Sequence, residues 1–564
     1  IVNNGVQLSK SFLSINEGQV ALLSQSDSFF SMLTPRETME IATFLQLDID
    51  KKEREVVIDQ TLDKLGLRHV SLRRIGSPII GDNGGNIGTS AGSLSGGERR
   101  RLSVALELVT DPMVFLADEP TTGLDSSQAQ KVFNIIAQTA RERNIPCICS
   151  IHQPRASIWK ELDSFILLAP GGKMIYIGPR KDAVSYFASL GYKCPPATTT
   201  AEFFIDLVTI DTEDEKQALA DNSRIDYLAE AFRKRQGNSL VPNDYKPPRE
   251  KKSNNALRRL LNRPFHTRLI VLLRRSLRQN LRDISVNSLR AIASVGLAVL
   301  FSELFSGVKG GKSIAKSVAD RTALLSFGVI NMSMLALMKT LNLFGREKPV
   351  VTREQMRRQY TSFEYILSKS IGELPLDVFY SVLFASTLKF LTNLRIPLSL
   401  LCGTFSLMTV AASSLGFLVG SLTSGVDEAQ TLGMALMVIL MAVGIINPSG
   451  VDPSMKTPLI IELLKKFSPI GMAIEALCIA EYSGMDFAEG GKSWSFSDLP
   501  RMGGLALVRN GDQVIDALGL TTKTYESVMR NMATVSAINL LMSWVGLSWY
   551  GTKFINAKDT SSTD

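Results

Sequence analysis

The pattern of apolar and polar residues along the chain changes near residue 283. Before this point, short apolar runs alternate with charged stretches that have helical periodicity. After it, apolar stretches approach the roughly 20 residues that a helix needs to cross a bilayer. Six of them can be recognised, at roughly 284–305, 322–344, 364–391, 397–421, 429–447 and 531–550. The pattern therefore predicts a water-soluble N-terminal part and an all-α membrane domain of six helices over 284–550.

In the N-terminal part, predicted strands and helices alternate. Three apolar runs end in polar residues, namely 18–23 before Gln25, 114–117 before Asp118 and Glu119, and 146–151 before His152. Helices are predicted between them, one beginning with Pro35 after the N-cap Thr34 and one at 126–143. Strands separated by helices are typical of a parallel α/β core, which places the polar residues after each strand at one edge of the sheet.

Two glycine-rich stretches predict turns or loops. Gly171 and Gly172 separate two short apolar runs and predict a β-hairpin. The stretch 81–88 predicts a loop, and it lacks the Gly-Lys-Ser/Thr ending that a phosphate-binding P-loop needs.

Composition narrows the classes of protein that fit this pattern. The 564 residues exceed what a single core usually holds, so at least two domains are expected. The net charge of +8 comes from lysines and arginines beside apolar segments, where such residues mark membrane flanks more often than a nucleic-acid surface. We therefore expect no nucleic-acid partner. The five cysteines form no CxxC pair, which disfavours a disulfide scaffold or a zinc site.

A polar linker and an amphipathic segment separate the two parts. The stretch 236–262 is rich in Asn, Pro, Lys and Ser over most of its length, as in a solvated linker. In 263–283, leucines recur at helical spacing and alternate with arginines, which predicts an amphipathic helix with a basic face. Such a helix suits the anionic cytoplasmic surface of a membrane, and a core helix packed on the soluble domain is the alternative.

Positive charges predict the orientation of the membrane helices. Lysines and arginines are dense before the first span and again at 346–358 after the second, so both regions and the two termini are expected in the cytoplasm. Lys309, Lys312, Lys316 and Arg321, between these spans, conflict with the rule. The stretch 448–530 is then expected to face outward. Glu475 within it would either sense substrate or protons, or accept hydrogen bonds from loop backbone.

Two motifs of the soluble part carry candidate chemistry. Ser95-Gly96-Gly97-Glu98 opens a predicted helix, and free N–H groups at a helix N-terminus bind anions such as phosphate. Asp118 and Glu119 follow a buried parallel strand, where α/β proteins place their sites. Together the motifs predict a nucleotide-binding site. The arginines at 99–101 are expected to form a solvated or interface face of the helix rather than to contact phosphate.

The order of these residues resembles the nucleotide-binding domain of ABC transporters. Gln25 corresponds to the Q-loop, 94–98 to the signature motif, 118–120 to Walker B, 123–125 to the D-loop and His152 to the switch histidine. Each motif is short, but five of them in the family's order are very specific. The resemblance implies an α/β P-loop-type ATPase domain that binds ATP and Mg²⁺.

The resemblance also implies a role for each matched residue. Glu119 would activate the attacking water, His152 would contact the γ-phosphate, and Gln25 would sense both water and metal, which makes these three the expected catalytic residues. Asp118 would hold Mg²⁺ together with Gln25. The residues expected to bind or adjoin a nucleotide held by a second subunit are Ser95, Gly96, Gly97, Glu98 and Asp125.

One motif of the family is not found. Its G-x-x-x-x-G-K-S/T loop lies well before the Q-loop and has no match among the residues that precede Gln25. Two explanations stay open: the sequence is truncated N-terminally, which Ile1 in place of Met favours, or the protein is a degenerate partner of another subunit. The ATPase domain, over 1–235, is therefore expected to be incomplete.

The segment 183–207 and the order of the domains are similar to the G (White) subfamily, in which the ATPase domain precedes the membrane domain. This implies a half-transporter that pairs with an identical or different half-transporter in a plasma or organellar membrane and exports a lipid-like or hydrophobic small molecule. Met434, Met437 and Met441 suit such a ligand, and helix packing is the alternative. The competing hypothesis is a catalytically inactive membrane subunit that scaffolds or regulates a partner.

Overall fold

The chain divides into two units, Ile1–Asn262 and Arg263–Asp564, in a computed structural model. The structure describes residues 2–3, 6–7, 20–25, 27–76, 78–80, 86–89, 93–196, 198–211, 215–236, 263–305, 308, 314–357, 359–444, 459–485, 501–502, 506–507 and 510–556. Most of the predicted linker, from 237 to 262, lies outside these residues.

The first unit alternates short strands with helices. Its strands are β1 (Val2–Asn3), β2 (Val6–Gln7), β3 (Val20–Leu23), β4 (Pro78–Ile80), β5 (Asn86–Thr89), β6 (Val114–Ala117), β7 (Cys147–Cys149), β8 (Ser164–Ala169) and β9 (Lys173–Pro179). Its helices are α1 (Pro35–Gln46), α2 (Lys51–Lys64), α3 (Gly96–Leu108), α4 (Ser126–Arg143), α5 (Ala156–Glu161), α6 (Arg180–Ser189), α7 (Thr200–Val208) and α8 (Glu215–Gln236).

A parallel sheet with the strand order β3–β6–β7 forms the centre of this unit. Leu23 pairs with Ala117, and Ala117 pairs with Cys149, so the three strands end at the same level. Side chains alternate between the faces of a strand, and on β3 this buries Leu23 while Leu22 stays 55% exposed. The register therefore brings the residues that directly follow the three strands to one edge of the sheet.

α1 begins at Pro35, where the sequence predicts it, because Thr34 forms an N-terminal cap. The Thr34 hydroxyl accepts a hydrogen bond from the Glu37 N–H at 3.2 Å, and the Glu37 carboxylate accepts one from the Thr34 N–H at 3.1 Å. This reciprocal capping box satisfies two backbone donors that the helix itself leaves unpaired, and Pro35 then occupies the first helical position.

The two glycine-rich stretches differ in how they fold. β8 and β9 form the predicted antiparallel hairpin, with Gly171 and Gly172 in the turn at positive φ. The prediction of a loop over 81–88 is wrong at its C-terminal end, because residues 86–88 belong to β5, which pairs with β4. Cross-strand pairing therefore overrides the low strand propensity of Asn and Gly there, and 81–85 lie outside the described residues.

The second unit is almost entirely helical. Its helices are α9 (Phe265–Arg282), α10 (Ile284–Leu304), α11 (Ile314–Met356), α12 (Ser362–Leu391), α13 (Leu398–Leu422), α14 (Val426–Gly444), α15 (Leu459–Phe467), α16 (Pro469–Tyr482), α17 (Gly511–Ala517) and α18 (Tyr525–Asn556). Two short strands, β10 (Arg501–Met502) and β11 (Ala506–Leu507), pair antiparallel.

Within the described residues, six of these helices are long and apolar enough to cross a membrane, namely α10, α11, α12, α13, α14 and α18. α13 lies at the centre of the bundle, since 72% of its most apolar stretch is buried inside the protein. The corresponding share for α10 is only 17%. The predicted six-helix membrane domain is confirmed.

A stripe of charged residues runs along α12 inside this apolar bundle. Lys369, Glu373 and Asp377 follow one another at four-residue spacing, lie on one helix face and are at most 3% exposed. The Lys369 Nζ is 2.7 Å from the Glu347 carboxylate of α11. Lys339 of α11 lies 2.7 Å from Glu373 and 2.9 Å from Asp377. Each charge on the stripe therefore has a partner of opposite sign on a neighbouring helix.

A second buried ion pair explains one of the positive charges that conflicted with the predicted orientation. Arg321, near the start of α11, pairs with Glu481 of α16, which is fully buried. The other carboxylate oxygen of Glu481 accepts hydrogen bonds from the backbone N–H groups of Arg395 and Ile396, at 2.8 and 2.9 Å. This arginine is thus neutralised inside the protein rather than facing a membrane surface.

Glu475, one turn and a half earlier on α16, has a different environment from the one expected. Its carboxylate lies 2.7 Å from the ammonium group of Lys523, and both side chains are partly exposed. The expectation that Glu475 accepts hydrogen bonds from loop backbone is therefore wrong, because both of its carboxylate oxygens accept hydrogen bonds from the Lys523 side chain.

These two carboxylates allow a matched test of burial. Glu481→Gln removes the buried negative charge that pairs with Arg321, so it is expected to destabilise the protein by about 3–5 kcal/mol. Glu475→Gln disrupts a partly exposed pair and is expected to cost about 1 kcal/mol or less. Chemical unfolding of the purified protein in lipid nanodiscs measures both, and equal losses would contradict the assignment.

Candidate nucleotide-binding site

The predicted catalytic residues Gln25 and Glu119 are in direct contact. Gln25 follows β3, and Glu119 follows β6 after Asp118. The Gln25 Nε2 donates a hydrogen bond to the Glu119 Oε2 at 2.9 Å. The Asp118 N–H donates to the Leu23 carbonyl at 2.8 Å, which extends the pairing of the two strands into this region. The sheet therefore brings an amide and two carboxylates together at the ends of adjacent strands.

Ser150, directly after β7, connects the two carboxylate residues. Its hydroxyl donates to the Asp118 Oδ1 at 2.6 Å and accepts from the Glu119 N–H at 2.8 Å. Sequence reasoning missed this residue, because its contact with Asp118 depends on the register between β6 and β7. Since Ala117 and Cys149 are paired in parallel register, the next residues along each strand, Asp118 and Ser150, must lie side by side.

The backbone of Glu119 adopts a strained conformation. Its φ is +42°, in the left-handed region that residues other than glycine seldom adopt. The surroundings hold it there: besides Ser150, the Thr122 hydroxyl donates to the Glu119 Oε2 at 3.0 Å. Strain of this kind costs about 1–3 kcal/mol and concentrates at functional sites, where it aims a side chain. Here it directs the carboxylate towards Gln25.

The signature residues form the N-terminus of α3. Ser95 is its N-cap, with the hydroxyl accepting from the Glu98 N–H at 3.3 Å and the Glu98 carboxylate accepting from the Ser95 N–H at 2.8 Å. Burial would raise the pKa of Glu98, but the hydrogen bonds from Ser95 and the nearby Arg101 and Arg73 outweigh it and hold this pKa below its ordinary value. The cap is therefore ionised and complete at neutral pH.

The two glycines of the signature differ in exposure. Ser95 and Gly96 are exposed, whereas Gly97 is buried against α4. A Cβ atom on Gly97 would lie 2.6 Å from the Gln128 Oε1, so a larger residue there would have to displace the Gln128 side chain. Asp125 is the N-cap of α4, since its Oδ1 accepts a hydrogen bond from the Gln128 N–H at 2.8 Å. The predicted D-loop residue and the signature motif are thus neighbours through Gln128.

The three arginines after the signature correct another expectation. The sequence predicts a solvated or interface face of the helix; Arg99, Arg100 and Arg101 are 5%, 2% and 9% exposed, so the solvated alternative is wrong. Arg99 donates to backbone carbonyls of Leu94 and Ile75. The apolar periodicity of α3 could not indicate this, because a guanidinium can satisfy several acceptors inside a protein when the fold supplies them.

His152 is not joined to this group. It lies three residues beyond β7 and is exposed, and within the described part of the chain its side chain makes no hydrogen bond to Gln25, Asp118 or Glu119. The next residue, Gln153, has a φ of +49°. The role of His152 at the γ-phosphate therefore stays a prediction.

The residues at this sheet edge fit a magnesium ion bound together with a nucleotide. Among the described residues, no group of three or more His, Cys, Asp and Glu side chains is placed to enclose a metal ion. Mg²⁺ needs no such cage, since it usually keeps several waters and binds one or two carboxylates together with substrate phosphates. Asp118 and the amide oxygen of Gln25 supply oxygen donors of the type it prefers.

Comparison with known proteins places both units in one family. The profile of the family described as ABC transporter matches residues 1–122, and profiles described as ABC-2 type transporter match residues 152–234 and 267–482.

Full-length relatives agree with these matches. The chain is 34% identical to ABC transporter G family member 7 of Arabidopsis thaliana over 83% of the chain and 63% of the relative. It is 27% identical to ATP-binding cassette sub-family G member 5 of Rattus norvegicus, over 85% of the chain and 72% of the relative. It is 29% identical to the broad substrate specificity ATP-binding cassette transporter ABCG2 of Sus scrofa, over 84% of the chain and 73% of the relative.

The chain thus spans less than two thirds of the plant relative's length. Both units are matched in the order that the motifs predicted, a nucleotide-binding domain before a helical membrane domain. The chain belongs to the G subfamily of ABC transporters and is a multi-pass integral membrane protein.

Proposed function

We propose that this chain is one half of an ATP-driven transporter that works as a dimer and exports a lipid-like or hydrophobic small molecule. The observation that carries the proposal is the contact of Gln25 with Glu119 at 2.9 Å beside Asp118, at the edge of a parallel sheet. The proposal also requires the family's G-x-x-x-x-G-K-S/T loop, which has no match in this sequence. The experiments below therefore use protein expressed from the complete gene.

In the proposed reaction, Glu119 accepts the proton of the attacking water. Its Oε2 already accepts hydrogen bonds from Gln25 and Thr122, which leaves Oε1 free to face the water. Asp118 and Gln25 would hold Mg²⁺, and Ser150 fixes the orientation of Asp118. When bound, Mg²⁺ would neutralise part of the charge on the γ-phosphoryl group as this group passes from ATP to the water, with ADP as the leaving group. Catalysis by these residues consists mainly of positioning and of one proton transfer.

A second subunit is proposed to complete the nucleotide site. Ser95 and Gly96 are exposed at the N-terminus of α3, a helix of 13 residues, where unpaired N–H groups and the helix dipole favour an anion. The buried Gly97 acts differently, by allowing α3 and α4 to pack closely. The exposed signature residues would bind the γ-phosphate of a nucleotide held by the partner half-transporter, whether identical or different.

Ion pairs are proposed to transmit movement to the membrane helices. Arg275 of α9 lies 2.8 Å from Glu354 of α11, and Arg268 of α9 lies 2.9 Å from Glu364 of α12. These pairs are largely buried and link three helices at one end of the bundle. A movement of α9 would therefore carry α11 and α12 with it, as a two-state change of access requires. This end is proposed to be cytoplasmic, with both termini.

The class of substrate is proposed from the apolar surface of the bundle and from the family. α14 exposes Leu432, Met434, Val438 and Ile439, each by 46–59%. Met437 is only 7% exposed and packs in the core, as the helix-packing alternative predicts for this residue. An apolar, adaptable surface of this kind suits a hydrophobic ligand better than a charged one.

Replacing the proposed base tests the ATPase directly. Glu119→Gln keeps the shape of the side chain but removes the proton acceptor, so ATP hydrolysis is expected to fall by about 100-fold or more while ATP binding persists. Phosphate release and binding of a fluorescent ATP analogue by the purified dimer measure the two. Glu142→Gln, on the exposed surface of α4, is the matched control and should hydrolyse ATP like the wild type.

The alternative function predicts another outcome. If the wild-type protein hydrolyses no ATP, or if Glu119→Gln hydrolyses it normally, the proposed mechanism is wrong. A wild-type chain without ATPase activity that still assembles with a second half-transporter would favour a scaffolding or regulatory subunit.

Ser150 gives an independent prediction about the metal. Ser150→Ala removes the donor that orients Asp118 and the acceptor for the Glu119 N–H. Loss of a residue that orients a metal ligand typically costs about 10–100-fold in metal affinity, so the Mg²⁺ concentration for half-maximal ATPase activity should rise by about 10-fold or more. Ser157→Ala on α5 is the control. An unchanged Mg²⁺ requirement would show that Ser150 does not support the metal site.

A further inference from the structure

Arg100, in the second turn of α3, is the most buried of the three arginines, at 2% exposure. Within the described part of the chain, the acceptors around its guanidinium come from two short segments, one after β3 and one after β6. From the first segment, it donates to the carbonyl oxygens of Ser24 and Gln25 at 2.6 and 3.2 Å and to the Asp27 Oδ1 at 3.0 Å. From the second, it donates to the carbonyl oxygens of Asp118, Glu119 and Pro120 at 2.9, 3.0 and 3.1 Å.

This arrangement uses the whole guanidinium. Its three nitrogens donate to the six acceptors, so none of them is left unpaired. Asp27 supplies the compensating charge, and the Ser103 hydroxyl of α3 donates to the same carboxylate oxygen at 2.6 Å. A planar group with donors in a fixed fork can meet these acceptors only when the two segments have one particular spacing.

We propose that Arg100 is a positioning residue that fixes the backbone of Gln25 and Glu119 relative to each other and so sets their side-chain hydrogen bond. Two of the five carbonyls it binds belong to Gln25 and Glu119, the residues whose side chains meet at 2.9 Å. Arg100 also lies five residues after Ser95, the N-cap of the same helix. Because the helix is rigid, a displacement of its N-terminus moves Arg100 and, with it, the residues at the sheet edge. This inference rests on the proposed ATPase function.

The adjacent arginines show that the arrangement is specific to one position. Arg99 donates to the carbonyls of Leu94 and Ile75, and Arg101 donates to the Gln128 side chain at 2.9 Å. Neither of these two makes a hydrogen bond to the segments 24–27 or 118–120 among the described residues. Arg99 is as buried as Arg100 to within a few per cent, so it serves as a control for the loss of a buried arginine.

Arg100→Lys and Arg99→Lys form the test pair, since both keep the charge and remove the fork. For Arg100→Lys, amide hydrogen exchange in nucleotide-free protein is expected to become about 10-fold faster in peptides that cover 24–27 and 118–122. The kcat of ATP hydrolysis is expected to fall by about 10- to 100-fold, because small misplacements of catalytic groups have effects of this size, while the KM for ATP changes by less than about 3-fold. Arg99→Lys should leave exchange in both segments and kcat at wild-type values.

The two readouts separate this inference from the function on which it rests. Unchanged exchange in both segments of Arg100→Lys would overturn the positioning role, and so would an equal effect of Arg99→Lys. If the wild type lacks ATPase activity, the proposed function fails, but hydrogen exchange still decides whether Arg100 holds the two segments. If Arg100→Lys does not fold, Asp27→Asn takes its place: it keeps an oxygen acceptor but removes the negative charge that compensates Arg100, and it should accelerate exchange in 24–27 more than in 118–122.

Discussion

Taking a charge out of water costs several kcal/mol unless a partner compensates it, and this constraint shapes both units of the protein. In the first unit, the buried Arg100 finds its counter-charge in Asp27 and its remaining acceptors in backbone carbonyls after two strands. In the membrane unit, Asp377 lies 2.8 Å from Arg290 and 2.9 Å from Lys339. Because each partner comes from a distant part of the chain, satisfying the charges also fixes how the elements pack.

At the candidate site, the packing of the strands and of α3 determines the positions of side chains that are exposed to solvent, such as Asp118. Asp118 is exposed, and packing alone would let its side chain turn freely. Ser150 orients it from one strand, and Gln25 contacts its neighbour Glu119 from another. The strained φ of Glu119 persists because these contacts and those of Arg100 over-determine it. A rigid support beneath a solvent-facing set of carboxylates is the arrangement that positioning catalysis requires.

In the membrane unit, the need to keep buried charges paired limits the positions that the helices can take relative to one another. The charged stripe of α12 pairs with α10 and α11, and Glu481 secures the end of α16 against Arg321 and the start of α13. Sliding one of these helices past another would leave charges unpaired in an apolar environment, where no water can replace the lost partner. Such helices are expected to move together rather than singly, which is the behaviour that coupling to an ATPase needs.

The sequence by itself determined most of the element types and the six spans, because these depend on local periodicity, caps and hydrophobic length. It also placed Gln25, Asp118 and Glu119 at one edge, because parallel strands leave their ends together. Only the tertiary structure decided the partners of buried charges: Arg100 with Asp27, Arg321 with Glu481, and Glu475 with Lys523. Residues far apart in sequence carry no local signal of such pairs, so the physical reason for a buried arginine becomes visible only once the fold has supplied its acceptors.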